Sequence, residues 1–468
     1  MIKLKEIIGQ LDEQAYEGLE LQFTKNKADN FLFLARSYRK GNVDDGEIIS
    51  SLKLNSNSFY VLKSRLYDKI KNHISIKSEN EFDGIADQIQ QIPDRCYNYP
   101  REIAVAFLQK LEEDLLKHDM HGELLVVYSA LKKLHLKSER YFHYSQLYNK
   151  QIAFLVSLEK VESILCNFNL ILGQYQCSKD KRYLDKLLFL RNDIQNHLNL
   201  NPSRRIEIVR NIIDAQIYLF CGSEILPGFD IEDCLNFIKG KMNEIPENSL
   251  QKKWNLPIDF LYYEYYRKVN MAKAKPYYEQ INSQFNNLML YADVALVTNF
   301  LTSKITFLDC NKNPEELLND SPEKILMDPN DIYTKVMYGL YSSVINYMQG
   351  RLKEAISSLN AIINLYSFKD FFHININVKL SLAFYYIELK EYELAENLTK
   401  SIYRKIKSEK LNEYDNVLDI IKVMNSEMEG KSGTKIKDAF ELFVARNTGN
   451  NAVLEHLMPV LTKKFSKR

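Results

Sequence analysis

The sequence predicts an all-α protein: stacked antiparallel helical hairpins with a small N-terminal helical unit. Three observations carry that expectation. Apolar residues recur at helical spacing through most of the chain, two helical hairpins between residues 330 and 408 can be written one under the other, and turn formers are scarce, with 15 glycines and 11 prolines in 468 residues. Leu, Ile, Lys, Glu and Asn are abundant instead, a balance that favours helices over sheets.

Taken in order, residues 1–80 read as a unit of their own, 81–100 as a linker, 101–430 as a helical array and 431–468 as capping helices. Helical spacing runs through residues 2–11 and 31–38, and the polar break 55–58 precedes a helix over 59–74 with Asn57 or Ser58 as its N-cap. Residues 78–100 are polar and contain Pro93 and Pro100, which suggests a boundary. Amphipathic segments follow at 101–118, 122–136, 138–173, 179–198 and 202–220, the last with Pro202 in its first turn and Asn201 as cap. A break at 222–230, with Pro227 and Gly228, leads to helices at 231–242, 258–268 and 271–285. Residues 288–308 are long and apolar, and 311–330, with Pro314, Pro322 and Pro329, are the most interrupted stretch. Helices at 413–428, 434–446 and 451–465 close the chain, the last ending in Lys463, Lys464, Lys467 and Arg468 as a solvated cap.

The repeat is clearest in its second copy, Leu382, Ala383, Tyr386, Tyr392, Ala395, Leu398 and Ile402. Small residues at these offsets place Ala383 on one helix against Ala395 on the next, so that the two backbones approach closely. The preceding copy reads Ser343, Tyr347, Gly350, Leu352, Ala355, Leu359 and Ile362, with Gly350 where the first helix should end. These residues resemble the tetratricopeptide repeat, with a partial match at 343–355 and a faint one at 262–274. Ala355 to Ala395 is forty residues and Ala274 to Ala355 eighty-one, against the family's usual ~34, so longer helices or turns are expected.

In that family the first helix of each hairpin lines a concave binding face. The resemblance therefore implies a protein or peptide partner at Met337, Leu340, Val344 and Tyr347, at Leu380, Phe384 and Ile387 with Asn377 and Glu388 beside them, and at Tyr263, Tyr266 and Arg267. Family members that clamp acidic chaperone tails carry Lys and Asn where this chain has Leu340, Val344, Leu380 and Phe384, so that use is not expected. So apolar a face either takes a hydrophobic segment or is buried by neighbouring hairpins.

A second resemblance lies near the N-terminus. The run from Glu47 to Arg65 is similar to a sigma-factor-like helix-turn-helix, with Lys63, Arg65, Lys69 and Lys71 on the candidate reading helix. It departs from that family at Ile49, where a small residue is usual, and at Lys53, where glycine is usual. The competing expectation is a hairpin that caps the array. The resemblance implies a regulator in which a peptide bound to the array controls DNA binding, a layout like that of peptide-sensing regulators of Gram-positive bacteria.

Composition bounds the rest. A net charge of +1 leaves no global field to draw the chain to nucleic acid or an anionic membrane. The first ten residues alternate charged and apolar positions, unlike a signal peptide, and the most apolar window, 152–172, is interrupted by Glu159, Lys160 and Glu162, unlike a membrane span. Six cysteines without paired short spacing suit the reduced thiols of a cytoplasmic protein. The 30 tyrosines are expected to fill wedges between hairpins. No phosphate loop, dinucleotide fingerprint, nucleophile elbow or zinc-protease motif occurs. His118 and His121 are read as a surface turn, and Glu112, Glu113 and Asp114 as a solvated face. Neither an enzyme nor a cofactor is expected.

Overall fold

The computed structural model describes residues 4–5, 8, 11, 13–26, 28–40, 44–76, 81–98, 101–243, 249–284, 300–301, 303–305 and 332–466, with the backbone alone at 13–15, 71–76, 81–83, 249–253 and 334. Among the described residues every regular element is a helix. The segments expected at 288–308 and 311–330 lie largely outside them. The chain divides into two compact units, Met1–Ile152 and Ala153–Arg468.

In the first unit α1 (Glu13–Lys25), α2 (Asp29–Arg39), α3 (Asp45–Leu52) and α4 (Ser56–Ile76) share a core that includes Phe23, Leu34, Tyr38, Ile48, Phe59 and Leu66. The cap of α4 falls on Asn55, whose Oδ1 accepts from the Ser58 amide at 2.8 Å, and not on Asn57 or Ser58. The helix has already begun at Ser56, so those later residues are inside its first turn. Where a linker was expected, α5 (Glu81–Gln90) and α6 (Ile92–Asn98) pack on α7 (Arg101–Lys117) and α8 (His121–Leu134). Ile85 and Ile92 are buried there with Leu108, Leu111 and Leu124. Pro93 is harmless because the first turn of α6 needs no donor at that position. His118 does sit in the α7–α8 turn, but it is buried. His121 meets Gln151 at 3.0 Å and Asp119 at 3.6 Å, and Glu112 accepts from Tyr128, so the surface readings of these residues do not hold in full.

The division between units falls inside α9 (Arg140–Ser178). Its buried face, Val161, Ile164, Phe168, Ile171, Leu172 and Tyr175, packs with α10 (Lys181–Leu200) and α11 (Arg204–Phe220). α11 begins after an N-cap at Ser203. Asn201, expected as that cap, instead ends α10 through its amide on the His197 carbonyl and holds Ser157 through its side chain at 2.7 Å. α12 (Ile231–Asn243), α13 (Ser249–Val269) and α14 (Met271–Ser283) follow, and consecutive helices are in contact.

The central hairpins are α15 (Ile332–Met348) with α16 (Leu352–Leu365) and α17 (Phe372–Glu388) with α18 (Tyr392–Glu409), followed by α19 (Asp415–Met428) with α20 (Gly433–Arg446). Ala383 and Ala395 are fully buried on the paired helices α17 and α18. A side chain at Gly339 would overlap Ile362, which explains how closely α15 approaches α16.

One turn closes all three hairpins. Arg351, Glu391 and Lys431 each donate a backbone N–H to a carbonyl five residues back, at 2.8, 2.9 and 3.0 Å. The residue before each, Gly350, Lys390 or Gly430, is left-handed with φ of 76, 63 and 65°. The forty-residue interval seen between Ala355 and Ala395 thus recurs in the backbone at 350, 390 and 430, one hairpin beyond where the side-chain pattern stops.

The last expected helix, 451–465, is shorter. Leu454 is left-handed at φ 59°, and α21 (Met458–Phe465) begins only with Pro459 in its first turn. The preceding segment lies against α17: the Leu454 amide donates to Asn377 Oδ1 at 2.7 Å, His456 Nε2 meets Ser381 Oγ at 2.9 Å, and Lys464 pairs with Glu388. Lys464 is therefore turned inward and is not a solvated end charge; Lys467 and Arg468 lie outside the described residues.

Candidate ligand-binding site

Helix ends create the polar site. The final carbonyls of α11 lack intrahelical partners, and side chains from other elements supply them. Lys268 Nζ donates to the Leu219 carbonyl at 2.9 Å, Gln176 Nε2 to that of Phe220 at 2.5 Å, and Tyr175 Oη to that of Cys221 at 3.5 Å, with Asn450 also donating to Cys221. Gly222, at φ 128°, turns the chain away where a side chain would collide with Glu224 and Asn450. The ends of α9, α11 and α13, the flank of α15 and α17 and the segment 449–456 together line an open cavity of about 500 Å³.

Its walls are charged and apolar in turn. Arg267 pairs with the buried Glu264 at 2.7 Å, and Ser303 donates a short hydrogen bond to the same carboxylate. Burial works against the Arg267 guanidinium, but Glu264 and then Glu455 more than offset it, and its pKa is raised. Lys179 takes a left-handed backbone (φ 58°) at the end of α9, donates to Gln176 Oε1 at 2.7 Å and sits over the Tyr175 ring at 5.3 Å. Burial pushes its ammonium down to about 8. His373 is driven well below the usual histidine range by burial and then by Lys179, and burial alone takes His456 down to about 3. Both imidazoles are neutral. Met337, Leu340 and Ile374 supply apolar wall.

Of the two outcomes expected for the apolar face, open to a partner or buried by the rest of the chain, burial is the one found. Tyr263, Leu340, Val344, Leu380 and Phe384 are at most 1% exposed and Ile387 and Tyr266 are buried. Tyr347, partly buried, donates to Glu388 at 3.0 Å and packs on Phe384; Tyr266 donates to Glu232 at 2.8 Å. Only Met337, Leu340, Asn377 and Arg267 of that set border the cavity. On α17 the reason is the segment 452–465, whose Leu454, Leu457 and Leu461 join the same core, whereas Tyr263 packs on Tyr278 and Phe300 and Tyr266 on Tyr262 and Tyr277. The sequence reading missed Lys179, Glu264, His373, Glu455 and His456. One signal was available: His373, Asn377 and Ser381 fall four residues apart on an otherwise apolar helix.

In the first unit the turn between α3 and α4 places Lys53 in the left-handed conformation (φ 52°), the conformation that glycine serves in the helix-turn-helix pattern. Lys63 is held by Asp45 at 2.9 Å and sits over Tyr38 and Phe59. Arg65 and Lys69 are exposed, Lys69 over the Phe31 ring at 5.5 Å. The side chain of Lys71 lies outside the described residues. Tyr60, Val61 and Tyr67 are exposed on the same helix.

Among the described residues no group of three or more His, Cys, Asp or Glu is placed to hold a metal ion, and no helix is long and apolar enough to cross a membrane. Comparison of the chain with family models, with curated proteins and with solved structures finds no match.

Proposed function

We propose that the chain is a non-enzymatic helical-repeat protein of the tetratricopeptide type whose second unit binds a peptide or the end of a protein partner. The observation that carries this is the cavity itself. At about 500 Å³ it falls within the roughly 300–1,000 Å³ of small-ligand pockets, and it offers what a peptide needs: side-chain charges, amide acceptors and apolar wall. The forty-residue turn interval supports the repeat, because identical turns stack hairpins in a regular series. The test is retention of a mixed tetrapeptide pool, with blocked and unblocked ends, by the full chain after gel filtration, read by mass spectrometry. Wild-type protein should retain peptide, and Met337→Trp, which narrows the cavity, should retain less. Failure of the wild type to hold any form of the pool ends the proposal.

A second reading, a peptide-responsive DNA-binding regulator, is supported by the left-handed turn at Lys53 and the exposed Arg65 and Lys69. Anisotropy with mixed genomic fragments at two salt concentrations should then show binding that weakens as salt rises. Arg65→Glu should reduce it, while Lys63→Glu should also disturb the fold by breaking the Asp45 pair. Absence of binding at low salt removes this reading.

A further inference from the structure

The cavity borders carry Lys179, Arg267 and Lys268 against Glu224, Glu264 and Glu455. Of these six, Glu224, Lys268 and Glu455 are exposed, Lys179 and Arg267 are half-buried, and Glu264 is buried. Arg267 and Glu264 satisfy one another with Ser303. Glu224 accepts from Asn450 at 3.4 Å. Lys179 and Lys268 reach only neutral acceptors, Gln176 Oε1 and the Leu219 carbonyl, and no carboxylate pairs with either among the described residues. An ammonium has three donors, so each has donors left over. Glu455, which lies near enough to favour the charged forms of Lys179 and Arg267, has no side-chain hydrogen bond among the described residues.

Resting on the peptide-binding proposal above, we infer that the ligand is a short peptide with both ends unblocked, its carboxylate received by Lys179 and Lys268 and its ammonium by Glu455. A carboxylate gives the half-buried Lys179 ammonium an anionic acceptor, and a charge-assisted hydrogen bond there is stronger than the amide contact now made to Gln176. Burial holds the Lys179 ammonium below the usual lysine range, and Glu455 opposes that shift. A purely anionic ligand, such as a phosphate ester, would satisfy the lysines and repel Glu455 and Glu224. A ligand that brings one charge of each sign meets both. The neutral histidines His373 and His456 add donors and acceptors without tipping that balance.

The experiment compares four forms of one tetrapeptide pool on the full chain: free, C-terminally amidated, N-acetylated and doubly blocked. Free peptides should be retained best, and blocking either end should lower retention about tenfold or more. Lys179→Met should bring free and amidated peptides to the same level. Equal retention of all four forms by wild-type protein overturns the inference and leaves peptide binding standing, whereas retention of none overturns both. Displacement of free peptide by millimolar inorganic phosphate marks a general anion site and also overturns the inference. The wild-type comparison decides even if the variant does not fold.

Discussion

Helices α17 and α18 form one hairpin, yet they bury themselves differently. α17 has twelve buried residues distributed around it, among them His373, Asn377 and Ser381. α18 has four, Ala395, Thr399, Ile402 and Ile406, in a single stripe. An edge helix needs only one apolar stripe. α17 touches α15, α16, α18 and α19 and is also covered by the C-terminal segment through Leu454, His456 and Lys464. An apolar first helix is therefore not by itself a binding groove; whether it is open depends on what the rest of the chain lays over it.

The largest expected effect separates the two helices directly. Phe384→Ala in α17 should cost about 3–5 kcal/mol through the cavity it leaves, while Tyr403→Ala on the exposed side of α18 should stay within about 0.5 kcal/mol. Urea unfolding measures both, and similar costs would erase the distinction.

Acid should attack the α17 side next. His373 and His456 are neutral in the folded chain because burial disfavours their charged forms. In the unfolded chain a histidine takes up its proton near pH 6.5, so the stability is whole above that pH and is lost as pH falls toward the lower folded values. Between pH 7 and pH 4, His456 alone should account for on the order of 3 kcal/mol. His456→Gln should flatten the stability profile over that window, and an unchanged slope would show that the ring is not buried against Ser381.

The smallest effect sharpens the turn. Gly350 and Gly430 adopt the left-handed conformation without strain, whereas Lys390 adopts it with a side chain. Lys390→Gly should stabilise the α17–α18 hairpin by at most about 1 kcal/mol, because relief of strain is partly offset by the added freedom of the unfolded chain. Destabilisation would mean that the lysine contributes something beyond its backbone.

Much of the helical order was legible in the residues, because apolar spacing, Gly350 and the alanines at 383 and 395 act over a few turns. The α19–α20 hairpin was not recognised as a continuation, since its turn keeps Gly430 but no alanine pair marks its helices. The role of residues 81–98 was hidden because Pro93 and polar neighbours look like a linker whichever way Ile85 and Ile92 face. The cavity was the least legible part. Lys179, Glu264, Glu455 and His456 are separated by up to hundreds of positions, and each looks ordinary where it stands.

By itself the sequence determined that this chain is helical, where most helices begin and end, and that two hairpins stand forty residues apart, because these are local consequences of side-chain periodicity and backbone preference. Only the tertiary structure decided that the face of α17 is filled by the chain's own C-terminal segment and that helix ends meet around a charged cavity. Burial and unmatched charge arise between distant residues, and no local spacing records them.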